Sequence, residues 1–216
     1  MPFKDRIDAG RRLAAESQLQ EAKDAVVVSL PRGAVPVAIE VARALSAPID
    51  VMPVEVISTP GKPEYVVGAV AENAIHVIES DALTALGVTE DSIAVRVAES
   101  TAVIARLAKT YRGAGSSAVS VSHRTVIVVD DGSASGPTLE AVALALSRRN
   151  VDSLWLASPV LPDMPIHGYE RAIAVEHDSA VADDAAFLGL WYDDRSTPSH
   201  EAAGETLIEF VASRAV

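Results

Sequence analysis

The sequence contains no cysteine. Disulfides, thiolate metal ligands and cysteine nucleophiles are therefore excluded. Basic residues are scarce beside acidic ones, 18 Lys and Arg against 30 Asp and Glu, for a net charge of −12. Polyanion affinity comes from neutralising many phosphates with Lys and Arg, so this balance speaks against nonspecific nucleic-acid binding. No uninterrupted apolar run approaches the length of a membrane span, and the opening residues Met1 to Asp8 carry no apolar signal core. The expected setting is cytoplasmic, with no membrane partner. Neither G-x-G-x-x-G nor a Walker A motif is present. Gly132-Ser-Ala-Ser-Gly136 has the length of a hydrolase elbow, but Ala134 stands where the nucleophilic serine is needed. His76, His123, His167, His177 and His200 are scattered without ligand spacing, so no protein-held metal centre is expected.

What remains is the composition of a globular protein: 216 residues, 49% hydrophobic and 22% charged. That length fits one domain, residues 1–216, large enough for a substantial core. Phe3 to Leu19 reads as an amphipathic helix, Ala25 to Leu30 as a buried strand and Val35 to Leu45 as a helix. Ile49 to Ile57 reads as a second strand, followed by a Gly/Pro-rich loop from Ser58 to Gly68. Asp91 to Tyr111 is the longest helix, with Ile93, Val97, Ile104, Leu107 and Tyr111 on one face. Further strands are expected at Val126 to Val129, Ser153 to Ala157 and Ala172 to Val175, and a last helix at Ala202 to Ser213. Strands alternating with helices imply an α/β fold: a doubly wound, mainly parallel sheet flanked by helices.

The most informative stretch runs from Val126 to Leu139, Val-Ile-Val-Val-Asp-Asp-Gly-Ser-Ala-Ser-Gly-Pro-Thr-Leu. A buried strand ends on two adjacent carboxylates, Asp130 and Asp131, and a short turn leads to a helix opening at Thr138. In open α/β sheets the crevice beyond the strands' carboxyl ends binds ligands. The free N–H groups and positive dipole end at a helix amino terminus suit a phosphate. Acid pair plus anion cradle is the chemistry of a phosphorylated sugar. The alternative is an ordinary strand–turn–helix with solvated acids.

A second stretch, Ser29-Leu-Pro-Arg-Gly-Ala-Val-Pro36, joins the first strand to its helix. An arginine in a tight turn there can fork onto a diphosphate while neighbouring N–H groups contact the same oxygens. The alternative is a surface arginine in a helix-starting turn.

Together these stretches resemble the type I phosphoribosyltransferase family, in particular small bacterial members with Pro-Arg-Gly and Asp-Asp-Gly motifs. Thr59-Pro-Gly-Lys-Pro-Glu-Tyr65, Phe3-Lys-Asp-Arg-Ile-Asp-Ala-Gly10 and Gly189-Leu-Trp-Tyr-Asp193 extend the likeness over nearly the whole chain. The resemblance implies that Asp130 and Asp131 are the catalytic pair at the ribose hydroxyls. It implies a 5-phosphate loop of Ala134, Ser135, Gly136, Pro137 and Thr138, and a pyrophosphate loop of Arg32, Gly33 and Ala34. It also implies a cis peptide at Pro31–Arg32, and a small hood over the site from about residues 160–200, with the N-terminal helix a further candidate. Lys62 would lie in a mobile loop closing over substrate, or be merely solvated. Trp191 and Tyr192 would stack on a base, or equally anchor the chain to the core.

The implied reaction transfers phosphoribose from phosphoribosyl pyrophosphate to an unidentified nitrogenous base, releasing pyrophosphate. Mg²⁺ would ride on substrate oxygens with no direct protein ligand, and the expected partners are phosphoribosyl pyrophosphate or a nucleoside monophosphate and a second copy of the chain. Several positions depart from the family pattern: Ala34, Ala134 and Pro137, and Glu55-Val56 where a basic pair is expected. They favour the other reading, a sugar-phosphate-binding regulatory module without efficient chemistry.

Overall fold

The computed structural model describes residues 3–59, 61–113, 117–162, 166–178 and 191–214. Strand β1 (Ala25–Ser29) is Ala-Val-Val-Val-Ser, buried at every position. Its side chains alternate between two cores. Val27 points to one with Leu13, Val35, Leu107, Tyr111 and Leu207. Val26 and Val28 point to another with Leu139, Val142 and Leu146. Burial on both faces is why the strand is continuously β-branched rather than alternating with polar residues. Each such valine contributes about 1.5 kcal/mol by leaving water.

The chain then runs through α2 (Ala34–Ala44) and β2 (Ile49–Val51) to a meander of β3 (Val54–Thr59), β4 (Lys62–Ala71) and β5 (Ile75–Ile78). Helices α3 (Ser80–Leu86) and α4 (Glu90–Arg112) precede β6 (Thr125–Val129), α5 (Gly136–Ser147), β7 (Ser153–Pro162) and β8 (Arg171–Asp178). Helix α1 (Arg6–Ala14) comes before β1, and the last helix, α6, spans His200–Ser213. Five strands form a parallel sheet in the order β2-β1-β6-β7-β8, and β3-β4-β5 form a separate antiparallel sheet. The expected doubly wound parallel sheet is present. Its order reverses between β1 and β6, the crevice where such sheets take ligands.

The structure corrects three expectations. Ile49 to Ile57 is not one strand: β2 ends at Val51, and β3 belongs to the other sheet. Pro53, which has no N–H to give a ladder, falls at the break. Ser58 to Gly68 is not an open loop but the turn and strand of a hairpin, with Gly61 at φ +76°. Helix α1 ends at Ala14, and only a 3-10 turn at Leu19–Glu21 follows. Of the hood expected at about residues 160–200, residues 163–165 and 179–190 lie outside the described residues.

A charged network joins the two sheets. Arg112, at the end of α4, donates through Nε to Asp50 Oδ1 of β2 at 2.8 Å and forks onto Glu72, which follows β4. Arg149 reaches Glu72 Oε2 at 2.8 Å. The second oxygen of Asp50 accepts from Val119 N at 3.1 Å. Burial alone would raise the Glu72 carboxyl, yet its bonds to Arg112 and Arg149 leave it below its ordinary value.

Candidate functional site

The site is built where β1 and β6 lie side by side. Their register pairs Ser29 with Val129, so both strands deliver their following loops at one level. Leu30 N donates to Val129 O at 2.9 Å and Asp130 N to Ala157 O at 3.1 Å, carrying the sheet one residue further. From there Pro31-Arg32-Gly33 turns into α2, while Asp130-Asp131 turns into α5. Sequence reasoning expected these two segments to share a site, and the structure brings them side by side at the ends of adjacent strands.

Both carboxylates are buried, Asp130 at 4% exposure and Asp131 at 2%. Asp130 Oδ2 accepts from Gly132 N at 2.8 Å and Ala134 N at 3.0 Å. Burial first, then the neighbouring charge of Asp131, raise the Asp130 carboxyl well above the usual carboxylate range, and the backbone N–H bonds only partly offset this. Asp131 Oδ1 accepts from Ser133 Oγ at 2.6 Å, and its Oδ2 from Arg6 Nε at 2.8 Å. Ser135 caps α5, its Oγ 2.9 Å from Thr138 Oγ1 and accepting weakly from Thr138 N. The helix thus begins at Gly136, before the expected Thr138. Pro137 removes one amide from its first turn.

Arg32 is exposed and lies in the left-handed region, φ +59°. Every peptide bond among the described residues is trans, Pro31–Arg32 included, so the expected cis bond is absent and a positive φ makes the turn instead. Two contacts hold it. Arg32 N donates to Tyr111 Oη at 3.0 Å, and Arg32 Nε to Pro198 O at 3.2 Å. Tyr111 Oη also lies 2.7 Å from His200 Nδ1. Burial pushes the Tyr111 hydroxyl up to about 12, and burial and Arg32 hold the His200 imidazole below its ordinary value. Gly33 packs directly on Asp131, and Ala34 is the buried first residue of α2.

The remaining expected residues are distributed unevenly. Tyr192 is buried, donates to Asp131 O at 2.8 Å and stacks obliquely on Phe3, 5.6 Å between ring centres. Trp191 adjoins it, with Nε1 buried and without a partner among the described residues. Lys62 opens β4, and its side chain lies outside the described residues. Glu55, on β3, is half-buried; burial raises its carboxyl, while Arg106 and Arg32 pull it back. It lines a cleft of about 520 Å³ with Ser58, Thr59, Arg96 and Glu99.

Four residues that complete the site were not expected. Arg6, Tyr111, Pro198 and His200 reach it from α1, α4 and the start of α6. A hint existed for Arg6, which lies inside the Phe3-to-Gly10 motif. For the others the contacts span 79 to 166 residues, and no local pattern announces them.

Comparison with known proteins identifies the family. A family model described as the phosphoribosyl transferase domain matches residues 3–180. Two Mycobacterium tuberculosis proteins, from strains CDC 1551 and H37Rv, are named as phosphoribosyl transferases and are each 37% identical over 163 residues, covering 74% of this chain. The matched stretch spans only 36% of the length of each relative. The crystal structure of TT1426 from Thermus thermophilus superposes with a TM-score of 0.76 at 30% identity, covering 97% of this chain and 99% of that one. On its sheet order, its paired loops and the family model that spans both, this chain belongs to the phosphoribosyl transferase domain family.

Proposed function

We propose that this chain transfers the phosphoribosyl group of phosphoribosyl pyrophosphate to a nitrogen of a base, releasing pyrophosphate. One observation carries the reading: an arginine-bearing turn and a buried acid pair leave adjacent parallel strands at the switch point of the sheet, and a helix amino terminus follows the acids. Arg32 with the Gly33 and Ala34 amides would hold the pyrophosphate. The turn from Ala134 to Thr138 would hold the 5-phosphate, with the Ser135 and Thr138 hydroxyls offsetting the amide that Pro137 lacks. Asp130 and Asp131 would accept from the ribose hydroxyls.

In the reaction the bond from C1 to the pyrophosphate oxygen breaks and its electron pair leaves with pyrophosphate. The lone pair of the base nitrogen forms the new bond, and that nitrogen then loses its proton. Positive charge develops on the ribose ring beside the two carboxylates, and negative charge develops on the pyrophosphate beside Arg32.

No group of three or more His, Asp or Glu side chains among the described residues is arranged to hold a metal ion. The acid pair is already bonded to backbone amides, Ser133 and Arg6. On this reading an Mg²⁺ would arrive on the oxygens of phosphoribosyl pyrophosphate, with Arg32 and the loop amides sharing the charge of the pyrophosphate. When bound, that ion supplies neutralising charge for the leaving pyrophosphate. The same reading takes the chain as a cytoplasmic homodimer without a nucleic-acid partner. No helix among the described residues is long and apolar enough to cross a membrane.

Titration calorimetry with phosphoribosyl pyrophosphate and Mg²⁺ tests the reading, with binding expected. Asp130→Asn combined with Asp131→Asn is expected to abolish that binding while the protein still unfolds in a cooperative transition. No binding by the unaltered protein overturns the proposal. Binding without pyrophosphate release across a panel of purine and pyrimidine bases would instead favour the regulatory module.

A further inference from the structure

We propose that Arg6 is the positioning residue of the acid pair: it fixes the carboxylate of Asp131 for the ribose hydroxyls without itself touching the ligand. This rests on the proposed phosphoribosyl site and adds to it a residue outside both signature loops. Arg6 is the first residue of α1, yet it is only 6% exposed. A buried guanidinium needs its donors matched, and all three nitrogens are. Nε meets Asp131 Oδ2 at 2.8 Å, Nη1 meets Ser196 O at 2.7 Å, and Nη2 meets Thr197 Oγ1 at 3.2 Å. The guanidinium carbon sits 4.9 Å from the centre of the Tyr192 ring, and the Tyr192 hydroxyl donates to the Asp131 carbonyl.

This arrangement explains how two adjacent carboxylates stay buried. Two buried like charges side by side disfavour ionising together, and Arg6 supplies a counter-charge through its ion pair with Asp131. The planar fork also fixes direction. One nitrogen is committed to Asp131 and two to the segment before α6, so the guanidinium cannot swing toward an incoming anion without releasing three acceptors. Asp131 is thereby held at its carboxylate by Arg6 and Ser133, and at its carbonyl by Tyr192. Each carboxylate oxygen retains a second lone pair for a sugar hydroxyl.

The test separates ribose from pyrophosphate. Affinities for ribose 5-phosphate and for Mg²⁺-pyrophosphate are measured on the full chain, unaltered and as Arg6→Met and Arg6→Lys. Arg6→Met is expected to weaken ribose 5-phosphate by about tenfold to a hundredfold, the span of one charge-assisted hydrogen bond, and to change pyrophosphate by less than about threefold. Arg6→Lys keeps the charge but not the fork, and is expected to fall between. If Arg6→Met does not fold, the lysine variant carries the same comparison. Equal losses for both ligands in step with a lowered melting temperature, or a loss confined to pyrophosphate, overturn the inference. So does unchanged binding by both variants while the unaltered protein binds, and this leaves the proposed function standing. An unaltered protein that binds neither ligand removes the proposed function, and the inference with it.

Discussion

Gly33 and Asp131 are packed without room for a methyl group between them. A Cβ built on Gly33 would fall deep inside the van der Waals radius of Asp131 Oδ2 and 2.8 Å from Arg6 Nε. The glycine adopts ordinary helical angles, φ −60° and ψ −29°, so space rather than backbone freedom demands it here. Gly33→Ala is expected to cost about 1–3 kcal/mol of stability by overpacking, read from urea unfolding. Because the methyl would press on the Arg6–Asp131 pair, the variant is also expected to lose ribose 5-phosphate binding.

Tyr111 supports the arginine turn from below. Its hydroxyl accepts the Arg32 N–H, the amide of a residue held at positive φ. Tyr111→Phe keeps the ring in its pocket and removes that acceptor. The expected cost is about 1–3 kcal/mol for the stranded amide, together with weaker pyrophosphate binding. Calorimetric titration of Mg²⁺-pyrophosphate checks it, and unchanged affinity would show that the turn holds without the hydroxyl.

The acid pair makes stability depend on pH in an unusual direction. Burial and the charge of Asp131 push the Asp130 carboxyl up to about 7 from an ordinary 3.8. The folded protein therefore holds this proton more tightly than the unfolded chain. Its contribution to stability is fully present below about pH 4 and is lost as pH rises through about 7. Glu55, also raised, acts with the same sign. Glu72 and His200, both lowered, act with the opposite sign. The difference between the unaltered protein and Asp130→Asn reports the acid pair: urea unfolding from pH 4 to 8 is expected to show the variant gaining relative stability toward the alkaline end. A flat difference would rule out the raised carboxyl.

The network of Arg112, Asp50, Glu72 and Arg149 is expected to behave as a single unit. Glu72→Ala leaves Arg112, whose side chain is 12% exposed, without two of its four hydrogen bonds. Breaking one side of a buried pair costs about 3 kcal/mol. Double-mutant cycles with Arg149→Ala would show strong coupling if Glu72 is shared as its contacts indicate.

How far the sequence announced all this depends on the range of each interaction. Val126 to Asp131 was legible because a strand buried on both faces must be continuously apolar, and two acids directly after it stand out. Arg32-Gly33 was legible from its place after the first strand. The division at Met52-Pro53 was not: apolar residues flank the proline on both sides, and only tertiary pairing assigns the two halves to different sheets. The hairpin after Thr59 was hidden by its Gly and Pro content, although Tyr65, Val66 and Val67 supply the β-branched and aromatic residues a strand prefers. Asp50 stands among apolar residues, and its buried partner Arg112 lies 62 residues away. The Pro31–Arg32 isomer was carried over from the family likeness alone, and that likeness does not extend to the geometry of this turn.

The bridge between Phe3 and Tyr192 ties early and late segments of the chain together directly behind the acid pair. Segments of this kind fray sooner than the central strands of a sheet. Here fraying would loosen Arg6, Ser196 and Thr197 from one another while β1 and β6 stayed paired. Heating is then expected to abolish ribose 5-phosphate binding, read by calorimetric titration, at temperatures where the far-ultraviolet dichroism of the sheet has not yet changed.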